Sequence, residues 1–472
     1  MTVLVNSDVR STLADDLKIE ATGKKPPMIS RRSLLLGTAI LGISALSRRA
    51  FADDAPVPIV FVHGDSDLAA TWETVIWRFE SNGYPRDRLA AISFTNPQAR
   101  DDNGVAQPNR SSTQEQLREL TEFVDKVRQR TGAEKVALVA LSRGGYSVRS
   151  YIASGGAARV SHAVLCGSPN HGVFAIDALL GSEYNGRGAF LSKLNEGATE
   201  TTAGVPFLTL RSDGYDLYAQ PDGAYIGRAG TPTNVTSEGP ALKGATNLVL
   251  DRVDHRETAL SPRAFAEIYR FIVGAAPSRI AILPESAVVL DGRVTGVAGV
   301  TPTNLPVEGA KVDVFAVDAD TGERKGAALV SKTTGADGVW GPLQVDSATA
   351  LEFVVAVQGA PVTHIYRSPF PRSFGLLDLR PSAPLAAEDA DAGAVIMMNR
   401  PRGYFGLPRD VIFLDGRQPT DIPPGVPAVW HTKLKLPTAE PRPIIGEFNL
   451  ERIVARPWPA KENHIAIAEL TY

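Results

Sequence analysis

The sequence predicts an α/β domain with a mostly parallel sheet over residues 57–275, followed by an all-β region. Two patterns carry this reading. Up to residue 275, short β-branched runs alternate with stretches of helical periodicity. From residue 283 the helical pattern stops, and short strands recur between Gly, Pro and Asp turns, as in VVLDGRVTGV, AKVDVFAVDADTG and LEFVVAVQGAP. The 472 residues, 43% apolar and 21% charged, suffice for two or three domains with real cores. A formal charge of −3 offers no basic field for nucleic acid. The single cysteine, Cys166, excludes an internal disulfide and is most simply a core residue.

The elements follow in chain order. Residues 30–52 read SRRSLLLGTAILGISALSRRAFA. An arginine pair, Arg31 and Arg32, precedes an apolar run from Leu34 to Leu46, too short for a comfortable membrane span. The segment closes on Ala50-Phe51-Ala52, an A-x-A cleavage pattern. It resembles a twin-arginine export signal, and the second pair, Arg48 and Arg49, disfavours the other export route. A retained membrane anchor is the alternative. The expectation is a leader over 1–52, handed to the twin-arginine export machinery and cleaved after Ala52, with the mature chain periplasmic or extracellular. Met28 is a second candidate start.

Val57–Val62 is a strand that ends in His63-Gly64. Ser112-Thr113-Gln114-Glu115 forms a capping box, Leu117, Leu120, Val124 and Val127 fall at helical spacing, and Gly132 closes that helix. Lys135–Leu141 is a continuous apolar strand of the kind buried on both faces. Ser142 follows it, then Gly144 and Gly145, then a helix from Tyr146 to Ala153. A sharp strand-to-helix turn needs small neighbours, because a bulky side chain would strike the adjacent backbone. A-x-S-x-G, with Ala140 in the first small position, fits a nucleophile elbow. The next strand ends at Cys166 and runs into GSPNHG. Val205–Leu210 is a strand followed by RSDGYDLYAQPDG, which offers two carboxylates, Asp213 and Asp216. Asn247–Leu250 is a strand followed by His255, ahead of a helix over Pro262–Ile272. Residues 276–287 read as the link to the β region.

FVHG, ALSRGG, GSPNHG, RSDGYDLY and VDHRET together resemble an α/β-hydrolase-fold lipase or esterase of bacterial type. The resemblance implies Ser142 as nucleophile and His255 as base. It favours Asp216, in the frame S-x-x-x-D-L-Y, as the acid, with Asp213 as the alternative. The backbone N–H groups of Asp65 and Arg143 would form the oxyanion hole. An aspartate at position 65 is awkward, since its carboxylate must turn away from a forming negative charge. His63 is read as structural rather than as the base. The resemblance also places a cap near residues 173–200, amphipathic through Val173, Phe174, Ile176, Leu179, Leu180, Phe190, Leu191 and Leu194, with a packed helix pair as the plainer reading.

In the β region, residues 278–370 resemble a transthyretin-like or carboxypeptidase-regulatory sandwich. Residues 371–472 are similar to the C-terminal domain of the Archaeoglobus lipase. Trp340, Trp430 and Trp458 are open between core and contact roles. The domains expected are the leader over 1–52, a catalytic domain over 53–277, and these two β units. The function implied is an exported serine lipase or esterase, cleaving acylglycerols or other lipid esters through an acyl-serine intermediate. Neither a cofactor nor a metal is expected. A polyester or wax-ester hydrolase is the second reading, and a non-catalytic envelope-binding protein on a hydrolase fold is the third.

Overall fold

The computed structural model describes residues 55–299 and 301–472. The leader, its cleavage site and the contact with an export machinery all lie outside the described residues. Six strands form the first sheet: β1 (Ile59–Val62), β2 (Leu89–Ile92), β3 (Val136–Leu141), β4 (Val160–Cys166), β5 (Phe207–Ser212) and β6 (Thr246–Leu250). Their order is β2-β1-β3-β4-β5-β6, and every neighbouring pair is parallel. β3 is near the middle and buried at all six residues, which is why its sequence, VALVAL, is apolar without alternation.

The helices that cover this sheet are α1 (Glu73–Ser81), α2 (Thr113–Thr131), α3 (Gly144–Tyr151), α4 (Ala189–Leu194), α5 (Glu257–Leu260) and α6 (Pro262–Val273). The capping box expected on α2 forms. Ser112 Oγ accepts the Glu115 N–H at 3.3 Å, and the Glu115 carboxylate accepts the Ser112 N–H at 2.7 Å. Leu120, Val124 and Val127 turn the buried face of α2 to the sheet. Ser261 caps α6, with Pro262 at its first position and Gly274 in the left-handed conformation at its end. A parallel sheet flanked by helices with this connectivity is the α/β-hydrolase core.

From Val288 onward the described residues are built mainly of sheets. The largest has seven strands, in the order 330–333, 311–317, 350–356, 362–367, 464–469, 394–399, 431–436. The strand His464–Glu469 pairs in parallel with both Val362–Arg367 and Ala394–Asn399. The boundary expected at residue 370 therefore falls inside one continuous sheet rather than between two units. A three-stranded sheet of Ile412–Leu414, Ile444–Phe448 and Glu451–Ala455 packs beside it. Among the described residues, no helix is long and apolar enough to cross a membrane.

The hydrolase core and the β region share one apolar interior. A single cluster of buried residues runs from Phe61, Trp77 and Phe265 to Trp340, Phe353 and Phe370. Helix α1 explains why. All nine of its residues, ETVIWRFES, are buried, although three are charged. The β region covers its outer side, where Trp77 meets the rings of Phe370 and Phe374 at 6.2 and 6.1 Å and donates to Ser373 O at 3.2 Å. Glu73 accepts from Arg367 at 3.0 Å and also pairs with Arg402. Charged groups at full burial are tolerated when paired in this way.

Two expectations need correction or completion. The cap over 173–200 is not a helix pair: it holds one short helix, α4, and otherwise turns and loop. Its shape comes from Asn185, whose amide donates to Ile176 O at 2.9 Å and Ala178 O at 2.7 Å while its oxygen accepts the Ile176 and Arg187 N–H groups. The tryptophans divide: Trp340 is fully buried, Trp458 stacks on His364 at 3.9 Å, and Trp430 is exposed.

Candidate active site

Ser142 stands at the turn between β3 and α3 with φ +53°. A non-glycine residue there costs about 1–3 kcal/mol and persists only where its surroundings over-determine it. The surroundings do so. The Ser142 N–H donates to Cys166 O at 2.8 Å, tying the turn to the end of β4, and Ser142 O accepts the Gly145 N–H at 2.9 Å. The two glycines after it are demanded by space. A Cβ on Gly144 would lie 2.6 Å from the carbonyl oxygens of Val62 and His63, and one on Gly145 would collide with the Ser168 side chain. Gly64, at the end of β1, is beside the serine, so that a Cβ there would be 3.7 Å from Ser142 Oγ.

His255 follows β6, two residues before α5, and is buried. Its Nδ1 is 2.8 and 2.9 Å from the two carboxylate oxygens of Asp216. The turn after β5 delivers that carboxylate. Ser212 Oγ accepts the Tyr215 N–H at 2.9 Å, Gln220 donates to Gly214 O and Asp216 O at 2.8 and 2.7 Å, and Asp216 Oδ1 accepts the Tyr218 N–H at 2.8 Å. Asp213 goes elsewhere: its Oδ1 accepts the Arg252 N–H at 3.1 Å and the Ser212 hydroxyl at 3.2 Å. Of the two carboxylates open in the sequence, the structure brings Asp216 to His255.

The remaining predicted positions are also fixed. Arg143 opens α3, and its guanidinium is buried. It donates to Glu183 at 2.5 and 3.0 Å, to Pro97 O at 2.9 Å, to Ser111 Oγ at 3.0 Å and to Ser111 O at 2.7 Å. The carboxylate of Asp65 accepts the Ala99 N–H at 2.7 Å, the Tyr184 hydroxyl at 2.9 Å and the Ser66 hydroxyl at 2.8 Å. The awkward aspartate is thus committed to a loop and to the cap. His63 donates from Nδ1 to Gly64 O at 2.7 Å and accepts the Phe94 N–H on Nε2 at 3.1 Å. Burial outweighs the nearby Asp67 carboxylate and holds its pKa below the ordinary histidine value, so it stays neutral and braces the loop. His171 ties the chain after β4 to Gly239 O and Glu200 at 2.8 and 3.0 Å.

Two residues of this neighbourhood were not among the sequence candidates. Glu183, in the cap, neutralises Arg143 across forty residues of chain. Tyr218 packs edge-on to the His255 imidazole, with ring centres 4.7 Å apart and planes at 78°. A cavity of about 420 Å³ opens beside Asp65. Its walls include Ala99, Phe174, Ile176, Leu179 and Tyr184, most of them from the cap. Among the described residues, no group of three or more His, Cys, Asp or Glu is arranged to hold a metal ion.

Residues 56–200 match the family described as Lipase (class 2), and residues 286–384 match the Lipase C-terminal domain. The second match falls on the stretch that resembles a transthyretin-like sandwich, not on the last hundred residues. Solved structures to which this chain is similar include lipase B of Aspergillus fumigatus, at 15% identity over 48% of this chain and 54% of that one, with a TM-score of 0.34. Lipase BlEst2 of Bacillus licheniformis, in its propeptide form, is 20% identical over 57% of this chain and 59% of that one, with a TM-score of 0.36. The naproxen esterase of Bacillus subtilis is 14% identical over 46% and 84%, with a TM-score of 0.28. The chain spans between half and two thirds of the length of the first two.

Proposed function

We propose, for a chain that joins a class 2 lipase domain to a lipase C-terminal domain, that it hydrolyses carboxylic esters of lipids through an acyl-Ser142 intermediate. The observation that carries this reading is the His255–Asp216 pair set beyond the strand ends that also present Ser142. With both Asp216 oxygens within 2.9 Å of Nδ1, the ring proton is held on that side and Nε2 is left as the base.

In the proposed reaction, Ser142 Oγ attacks the ester carbonyl carbon while His255 Nε2 takes its proton. The carbonyl oxygen becomes an oxyanion, met by the N–H groups of Arg143 and Asp65. One such donor is worth about 3–4 kcal/mol of transition-state stabilisation. The C–O bond to the alcohol breaks as His255 returns the proton to the leaving oxygen. Water then attacks the acyl carbon, again giving a proton to His255; the bond to Ser142 Oγ breaks as His255 returns that proton to Oγ, and the acid departs. The cavity beside Asp65 has an apolar side, Phe174, Ile176, Leu179 and Ile226, that suits an acyl chain, and a charged side of Arg100, Asp101, Arg110 and Arg228.

The test is a series of p-nitrophenyl esters, acetate to palmitate, offered to the purified chain from Asp53 and to Ser142→Ala. Turnover that rises toward long chains and is abolished in Ser142→Ala is expected. Turnover of acetate alone would replace lipid esters with short-chain or polymer esters. No turnover from a folded protein would overturn the enzymatic reading in favour of an envelope-binding protein.

A further inference from the structure

The residue before His255 is held by the β region. Asp254 is fully buried, and its carboxylate accepts five donors. Oδ1 takes the Arg256 and Glu257 N–H groups at 2.9 and 3.0 Å, which caps the short helix α5. Oδ2 takes Arg400 Nη1 at 2.8 Å, the Tyr404 N–H at 2.8 Å and Arg409 Nη2 at 3.3 Å. All three of these come from the β region, about 150 residues further along the chain. Glu257 completes the arrangement by accepting the Asp254 N–H at 2.8 Å, Arg400 Nη2 at 2.5 Å and Arg409 Nη1 at 2.8 Å. Two guanidiniums thus bridge two carboxylates that flank the turn carrying His255.

Two further features belong to the same device. Gly403 lies under Arg400, and any Cβ there would run into the guanidinium. Tyr404 also bears on the imidazole indirectly, through Tyr218. Its hydroxyl stands beside that of Tyr218, whose ring packs on His255, and this neighbour first, then burial, keeps the Tyr218 hydroxyl protonated. Although burial opposes the charge on Asp254, Arg400 and Arg409 outweigh it and hold the carboxylate ionised below its ordinary pKa.

We propose that Arg400, with Arg409 and Gly403, is a positioning element for the reaction: through Asp254 and Glu257 it holds the His255 turn so that the imidazole stays paired with Asp216. This assigns the β region a part in the chemical step, and it rests on the serine-hydrolase reading above. A displacement near 1 Å in such a constellation costs on the order of 10²-fold in rate. The energetic reason is plain. The turn over residues 251–256 lies outside helix and strand, so side chains that grip it from outside help to fix its placement.

The experiment compares Arg400→Gln, Arg400→Lys and Gly403→Ala with Arg402→Met, a control that breaks the contact to Glu73 without touching Asp254. Two readouts are taken on the whole chain, below the melting temperature of each variant. One is kcat and KM on the best p-nitrophenyl ester. The other is the downfield proton resonance of His255 Nδ1–H, which needs no turnover. Arg400→Gln and Gly403→Ala are expected to lower kcat by about 10²-fold at nearly constant KM and to broaden or shift the resonance. Arg400→Lys, which reaches only one carboxylate at a time, is expected to fall between, and Arg402→Met to keep both readouts. An unchanged kcat and resonance in Arg400→Gln and Gly403→Ala would overturn the proposal, as would equal losses in Arg402→Met. If the wild-type chain turns over no ester, the hydrolase reading fails by itself, and the resonance still decides whether the β region sets His255.

Discussion

Asp213 and Asp216 stand three positions apart, and the turn after β5 sends them to different partners. Asp216 faces His255, whereas Asp213 accepts the Arg252 N–H and serves the loop that carries the histidine. Replacing Asp216 by Asn removes control of the imidazole tautomer, and kcat is expected to fall on the order of 10⁴-fold. Asp213→Asn keeps an oxygen for the Arg252 N–H and is expected to cost less than tenfold, so a steady-state comparison of the pair separates the roles. If Asp213→Asn were the more damaging, the acid would be misassigned. The place of Ser142 was legible because it directly follows the apolar strand β3, and that of His255 because it comes a short turn after β6; strand ends are where a parallel sheet exposes chemistry. The acid was only half legible. What selects Asp216 is a hydroxyl from Ser212 and an amide from Gln220, contacts that no periodicity registers.

At the scale of elements, the elbow and the cap are joined by a buried ion pair. Arg143 and Glu183 are each 1% exposed, and the arginine makes further bonds to the loop at Pro97 and Ser111. Such a pair adds little net stability over an apolar substitute, but removing one partner strands the other charge. Glu183→Gln is therefore expected to destabilise the chain by about 3–5 kcal/mol, read as a lowered urea midpoint at unchanged slope. A loss below about 1 kcal/mol would mean that the guanidinium finds water in the absence of its partner. The sequence predicted α2 and α6 well because their apolar stripes and caps agree. The helix pair, the plainer reading of residues 173–200, does not form: apolar residues are frequent there, but the backbone is shaped by the Asn185 amide. Side-chain to backbone bonds of that kind leave no binary pattern.

At the scale of the molecule, one buried apolar cluster bridges the hydrolase core and the β region, where the composition suggested separate units. The shift from helical to strand patterning near residue 283 was readable. The burial of α1 on every side was not, because ETVIWRFES looks like a surface helix until Trp77 is seen between Phe370 and Phe374 and Glu73 between Arg367 and Arg402. With the apolar cluster continuous across residues 276–287, calorimetric unfolding of the described chain is expected to show one transition with matching calorimetric and van't Hoff enthalpies. Two resolved transitions would mean that the interface melts independently.

The placing of His464–Glu469 between two strands made earlier has a consequence for timing. The ribosome lays down Val362–Arg367 and Ala394–Asn399 as sheet edges with a vacancy between them, and the insert that joins them arrives only after both. Parallel insertion between existing edges is slow, since the loop must close before its contacts reward it. The β region that grips the His255 turn is thus among the last parts of the chain to mature. A nascent chain would carry Ser142 well before the turn over residues 251–256 met its partners at Arg400, Tyr404 and Arg409.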